Sequence, residues 1–354
     1  VVAAAPGQAE STIAMTLSRK QPMSKRYKWG LIGASRIAEE WVVPAINSAP
    51  DSEVTAVFAS DAHRGRAYAA RNHIPDAYET LDAFLRADID AVYVSNTNEK
   101  HAPHAIAALR AGKHVLGEKP MALTVADAED MISAAETNKR VLGINHHLRN
   151  MATHIRLHEL VKSGELGSIV AARMTFGVLL PAANRGWRTD SVAAGAGVFF
   201  DLTVHDADLL HYILDTEAQE VVAMTANNAI TSREIEDTVA IVARMKTGTI
   251  VQITESFAID HANTTVEIFG TKASVFADDV LLQRGGGRIF VRRSGEQVEE
   301  RIEHINAYDK AVGDFNAAIG GHGSPSATGH DGLKSLKFAL AAREAAKTGK
   351  SVRL

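Results

Sequence analysis

Between Tyr27 and Asn145 short apolar segments alternate with longer amphipathic ones, and this alternation constrains the fold more than any other feature of the chain. Segments of about five residues read as buried strands at Tyr27–Gly33, Val54–Ala59, Asp90–Ser95, His114–Glu118 and Val141–Asn145. Helical spacing fills the gaps at Ser35–Ala49, Ala62–Asn72, His101–Ala111 and Thr124–Asn138. Strands and helices in this order pair in parallel through right-handed crossovers, so an α/β fold with a Rossmann-type sheet is predicted. From His146 the pattern changes. A helix at Met151–Ser163 ends at Gly164, and alternating strands follow at Ile169–Val178, Glu220–Ala226, Thr238–Met245, Ile250–Phe257 and Thr265–Phe269. Short turns such as Lys246-Thr247-Gly248 predict an open, mainly antiparallel sheet with one buried face. Two helices, near Ala307–Ile319 and Gly332–Lys347, close the chain.

The first turn carries chemistry. Gly33-Ala34-Ser35-Arg36-Ile37-Ala38 matches the dinucleotide fingerprint, with Ser35 in place of the second glycine and Ala38 as the permitted alanine at the third. Gly33 allows the tight turn, and the helix N-terminus beyond it offers free N–H groups and a dipole to a pyrophosphate. The residues of this turn, Gly33, Ser35, Arg36, Ile37 and Ala38, are therefore assigned to cofactor binding. An NAD-specific site places Asp or Glu at the end of the second strand to bind the ribose 2′-hydroxyl. Here Ala59 stands at that end, followed by Ser60, with Arg64 and Arg66 one helical turn on. The missing acid and the nearby cations favour NADP(H), with NADPH preferred, and Asp61 is expected to cap the second helix instead.

Three further constellations stand out. Glu118-Lys119-Pro120 lies at a strand's C-terminal end, where ligands bind in open α/β sheets. A lysine fixed there would polarise a carbonyl oxygen, and a cis Lys119–Pro120 bond would swing its side chain into the cleft. Asp201 and His205 are four apart, so on a helix the carboxylate could orient and charge the imidazole for proton transfer. Finally His146, His147 and Arg149, with Trp187 and Arg188, offer donors and an aromatic platform suited to a polyol. No Cys, Glu-x-x-His or His-x-His spacing completes a metal site.

Composition narrows the partners. The 38 Lys and Arg against 42 Asp and Glu leave a net charge of -4, with no basic surplus for nucleic acid or an anionic membrane. Cys 0 excludes disulfides and thiolate chemistry and suits a cytoplasmic setting. No apolar run approaches the ~20 residues that span a bilayer. The chain is accordingly divided into a disordered extension (1–25), a dinucleotide-binding domain (26–145) and a substrate-binding α+β domain (146–354).

In this order the motifs resemble the glucose–fructose oxidoreductase/inositol dehydrogenase/rhizopine-catabolism family, from Tyr27 to Leu354. The resemblance implies a Rossmann domain followed by an open-faced α+β domain. It also implies Glu-Lys-Pro and Asp-x-x-x-His motifs beside the nicotinamide, so Lys119, Asp201 and His205 fall on catalytic positions. The loop Ser95-Asn96-Thr97-Asn98 with His101, and Glu118 with Lys119, complete the assigned cofactor site. His146, His147, Arg149, Trp187, Arg188, Asp201 and His205 form the assigned substrate site. The expected reaction is hydride transfer between NADP(H) and a ketone or secondary alcohol of a small sugar-like ring. His205, held by Asp201, is the expected proton donor, with Lys119 the other group able to fill that role. A homo-oligomer through the open sheet face is expected. The rival readings are an NAD-linked inositol-type dehydrogenase and a non-catalytic dinucleotide-binding regulator, the second disfavoured by retention of all three catalytic positions.

Overall fold

The computed structural model describes residues 26–354. The extension assigned to 1–25 lies outside the described residues. Six parallel strands form the first sheet: β1 (Tyr27–Ile32), β2 (Ser52–Phe58), β3 (Asp76–Tyr78), β4 (Ala91–Val94), β5 (His114–Gly117) and β6 (Leu142–Ile144), in the order β3-β2-β1-β4-β5-β6. The order reverses between β1 and β4. A crevice therefore opens beyond their C-terminal ends, where ligands bind in such sheets. Trp29, Leu31, Val92, Val94 and Val115 are fully buried, as expected of strands covered on both faces. The sequence missed β3, whose three residues carry no readable period.

The helix predicted over 35–49 is not uniform. It runs as a π-helix at Ala38–Val42 and an α-helix at Val43–Ser48. Pro44 has no N–H to offer the carbonyl of Glu40, so the regular ladder cannot continue through it.

The second sheet has nine strands: β7 (Ile169–Gly177), β8 (Ala218–Ala226), β9 (Thr238–Met245), β10 (Ile250–Ser256), β11 (Thr265–Gly270), β12 (Ser274–Asp278), β13 (Arg288–Arg293), β14 (Glu296–Glu300) and β15 (Val352–Arg353). Their order is β14-β13-β12-β11-β7-β10-β9-β8-β15. The sheet is mixed, because β10 returns parallel to β7 at its centre while the other neighbours are antiparallel. Alternation along β9 and β10 buries Val239, Ile241, Val251 and Ile253 against Leu209, Ile213 and Phe338 of the covering helices. On the opposite face Val222, Met224 and Val242 are exposed.

The last two helices serve both sheets. Tyr308, Val312 and Phe315, on the helix Ala307–Ile319, pack with Trp29 and Leu31 of the first domain. The rings of Trp29 and Phe315 lie 5.2 Å apart. Leu336, on the helix Gly329–Thr348, joins Ile144 and Met131 in that domain's other core. Among the described residues no helix is long and apolar enough to cross a membrane.

Candidate active site

The nucleotide turn forms as its residues dictate. Gly33 sits at φ 109°, and a Cβ there would lie 3.0 Å from the backbone nitrogen of Asn96. No other residue fits that turn without displacing the neighbouring loop. The Ser35 hydroxyl accepts from the Ala38 N–H at 3.2 Å and meets the Ser95 hydroxyl at 2.7 Å. A serine at the second fingerprint position thus ties the helix start to the loop after β4. Arg36 donates from Nη1 to Asn184 Oδ1 at 3.2 Å. Ala59 is buried at the end of β2, while Ser60 and Arg64 are exposed beside it. Asp61 caps the helix Ala62–Arg71 by accepting from the Arg64 N–H at 2.8 Å, as the sequence indicated. This glycine turn and acid-free strand end fit a nicotinamide dinucleotide, which the 33–38 turn and the loop from Ser95 would hold.

That loop is pinned by its own side chains. His101 places one ring nitrogen 2.7 Å from the Pro120 carbonyl oxygen and the other 3.0 Å from that of Asn96. Asn98 donates to the Gly195 carbonyl at 3.1 Å, and Thr97 to Glu99 at 2.7 Å. These side chains, assigned to the cofactor from sequence, also bond within the protein and shape the loop. Glu118 behaves likewise: its carboxylate accepts from the Tyr93 hydroxyl, from the Asn145 amide at 2.7 Å and from the Lys119 N–H at 3.3 Å.

The Lys119–Pro120 bond is cis, as the sequence predicted. Lys119 Nζ donates to the Asp201 carbonyl oxygen at 2.7 Å and to Asp201 Oδ1 at 2.9 Å. An ammonium has three donors, so one remains to meet a ligand oxygen. Arg188 Nε lies 3.9 Å from Asp201 Oδ1, and its guanidinium stacks over the Trp187 ring at 4.4 Å. Burial alone would raise the Asp201 carboxyl, but Lys119 and Arg188 outweigh it and hold the group below its ordinary value.

Two sequence assignments are corrected. Asp201 gives its bonds to Lys119, not to His205, and it does not charge the imidazole. The register of the π-helix Phe199–Thr203, which carries Asp201 into the helix Val204–Leu214, differs from the α-spacing assumed from sequence. Burial, then Lys119, His147 and His146, push His205 well below the usual imidazole value, so the ring is neutral. Its Nδ1 has no hydrogen-bond partner among the described residues. The second correction concerns Arg149, which is buried and forked onto Asp208 at 2.6 and 2.7 Å. It also bonds to the Ser326 carbonyl at 3.3 Å and pairs with Asp331 at 3.3 Å. Four of its five N–H donors are thereby engaged within the protein, which ties Arg149 chiefly to its own chain.

The imidazoles do gather. The ring of His147 meets that of His205 edge-on at 5.2 Å, and His146 meets it at 6.1 Å. His147 is pushed down to about 3, first by burial and then by Lys119. His146 Nε2 is 3.2 Å from the Ser335 hydroxyl. One member was missed from sequence: Tyr308 stacks flat on His147 at 4.9 Å and contacts Trp41 at 5.4 Å. It lies far along the chain, on a helix that looked merely amphipathic, and no local signal marks it.

Residues 27–146 match the oxidoreductase family with an NAD-binding Rossmann fold, GFO/IDH/MocA, and residues 154–276 match the GFO/IDH/MocA C-terminal domain. The chain belongs to the GFO/IDH/MocA oxidoreductase family. It is 41% identical over 328 residues to the 1,5-anhydro-D-fructose reductase of Ensifer adhaerens, covering 92% of this chain and 98% of the relative. Similarity to the myo-inositol 2-dehydrogenase of Thermotoga maritima is 27% over 276 residues, covering 75% of this chain and 80% of that protein. The crystal structure of the aldose-aldose oxidoreductase from Caulobacter crescentus complexed with glycerol superposes with a TM-score of 0.85 at 26% identity. It covers 93% of this chain and 100% of its own. GFO/IDH/MocA membership makes the protein an NAD(P)-binding oxidoreductase of sugar-type substrates, as the motifs had implied.

Proposed function

We propose that this chain uses NADPH to reduce the ketone of a neutral sugar-like ring, in particular 1,5-anhydro-D-fructose to 1,5-anhydro-D-mannitol. The remaining donor of Lys119 carries the reading: one N–H on a cation held at the mouth of the crevice beside three imidazoles. When bound, the nicotinamide supplies the hydride. Lys119 polarises the ketone oxygen and gives it a proton as negative charge develops there. Asp201 keeps that ammonium aimed. His205 is neutral, and we assign it a hydrogen bond to the ketone oxygen, with His147 against it and Tyr308 stacked on His147. The NADPH preference rests on Ala59, Ser60 and Arg64, and the substrate class on the 41% identical relative.

The working place we propose is the cytoplasm, in keeping with Cys 0. The exposed Val222, Met224 and Val242 of the second sheet are proposed as a contact between copies of the chain. The test is a panel of neutral ketoses, including 1,5-anhydro-D-fructose, assayed with NADPH and NADH separately. Turnover of that ketone with NADPH preferred is expected. No turnover, or equal use of NADH, would overturn the substrate or the cofactor assignment respectively.

A further inference from the structure

Behind the catalytic turn lies a pair of acids that the reaction does not use. Asp206, on the helix Val204–Leu214, and Glu255, on β10, are both 0% exposed. Both oxygens of Asp206 and Oε1 of Glu255 have no hydrogen-bond donor among the described residues. The remaining oxygen, Glu255 Oε2, accepts from the Thr203 hydroxyl. Buried carboxylate oxygens without donors are costly, and two such carboxylates together cost more. One proton relieves two of the three: placed on Glu255 Oε1, it makes a donor for one Asp206 oxygen.

We propose that Glu255 and Asp206 share a proton and that this linked pair clamps the turn presenting Asp201 and His205. Thr203 and Asp206 are three apart on one helix face, and the single carboxyl of Glu255 engages both. Asp201 and His205 stand on the same turn, two residues before Thr203 and one before Asp206. The start of the π-helix is fixed by a third acid. Glu236 Oε1 accepts from the Phe199 N–H at 3.2 Å, in a space that a Cβ at Gly197 would fill. Burial, then Asp206, push the Glu255 carboxyl well above its usual range, and burial pushes Asp206 up as well. The other charged groups facing the cluster are Glu236, which reinforces the rise on Glu255, and Arg343, which faces Glu236. Glu255 and Asp206 are therefore positioning residues. A group whose folded pKa is raised contributes stability while protonated and loses it as pH rises through that raised value, so the clamp fails on the alkaline side.

Glu255→Gln and Glu255→Leu test this. Glutamine keeps a donor for Asp206 and an acceptor for Thr203 and cannot lose the proton, whereas leucine removes both. Three readouts are taken: the infrared C=O stretch of a protonated carboxyl at neutral pH, the thermal midpoint against pH, and kcat/KM against pH. Wild type should show the protonated stretch, and Glu255→Gln should abolish it. Glu255→Gln should hold near wild-type kcat at neutral pH and flatten the alkaline loss. Glu255→Leu should lose up to about 100-fold in kcat/KM, the cost of a site displaced by about an ångström. A wild-type spectrum without the stretch, or Glu255→Gln as damaged as Glu255→Leu, overturns the proposal. The clamp serves the reaction proposed above. Because the infrared and thermal readouts need no turnover, a wrong substrate would silence only the third.

Discussion

Replacing Lys119 with methionine separates the two things that its ammonium does. The Lys119–Asp201 pair has side-chain exposures of 13% and 22% and closes at 2.9 Å, so the charges are largely out of water. At an effective dielectric near 20 the gross attraction is about 6 kcal/mol, most of it offset by the desolvation of both ions. Removing one partner of such a pair costs about 3–5 kcal/mol, and the residual exposure argues for the lower end. Methionine leaves Asp201 buried with only Arg188 nearby, so its carboxyl must rise. The stability deficit of Lys119→Met should therefore be smallest in acid and grow as pH rises through the raised value. The catalytic loss is separate: a fixed donor on developing oxyanion charge is worth about 10²–10³ in kcat. Adding Asp201→Asn removes the stranded charge without restoring the donor. The double variant should thus regain most of the thermal midpoint in a melting curve and none of the turnover, followed by NADPH absorbance. The His205 imidazole should also titrate higher by NMR, having lost a neighbouring cation. Turnover restored in the double variant would refute the reasoning, since Lys119 would then serve only to neutralise Asp201.

Arg149→Met should lower the thermal midpoint through a cost of about 3–5 kcal/mol for the stranded Asp208, while the folded fraction keeps its KM. A raised KM with unchanged stability would return Arg149 to the substrate site. Arg64→Ala should weaken NADPH about 10-fold or more and leave NADH unaffected, as read by fluorescence titration, if the guanidinium meets the 2′-phosphate. The buried imidazoles of His147, His154 and His211 are pushed down to about 3, 4 and 4. Groups with depressed folded values lose their contribution as pH falls from the ordinary 6.5 through those values, so melting curves should show a steep acid-side decline, shallower in His154→Gln. Met224→Asp, on the open face, should leave kcat unchanged and yield monomers in sedimentation if copies pair there.

The parts of the fold read correctly from sequence are those whose signal is local. Strand period and glycine turns located the parallel sheet, and the cis bond was expected from Pro120 at a strand end together with the family resemblance. Where partners are distant, the sequence is silent. The parallel return of β10 onto β7, the three-residue β3 and the passage of Tyr308 and Phe315 into the first domain leave no local trace. The site divides along the same line. Asp-x-x-x-His spacing suggested an Asp201–His205 pair, but the π-register and the nearer ammonium of Lys119 claim the carboxylate. Arg149 looked like an open ligand donor because Asp208 and Asp331, which engage it, lie 59 and 182 positions away.

The destination of the hydride decides whether this chain reduces the ketone. NADPH deuterated at the reactive position of C4 would be incubated with 1,5-anhydro-D-fructose and the wild-type protein, and the product examined by NMR. One deuterium is expected on the carbon that was the ketone, with NADPH consumed in equal amount. Product without deuterium at that carbon, or NADPH left unconsumed while Lys119 and Asp201 are intact, would contradict that reduction.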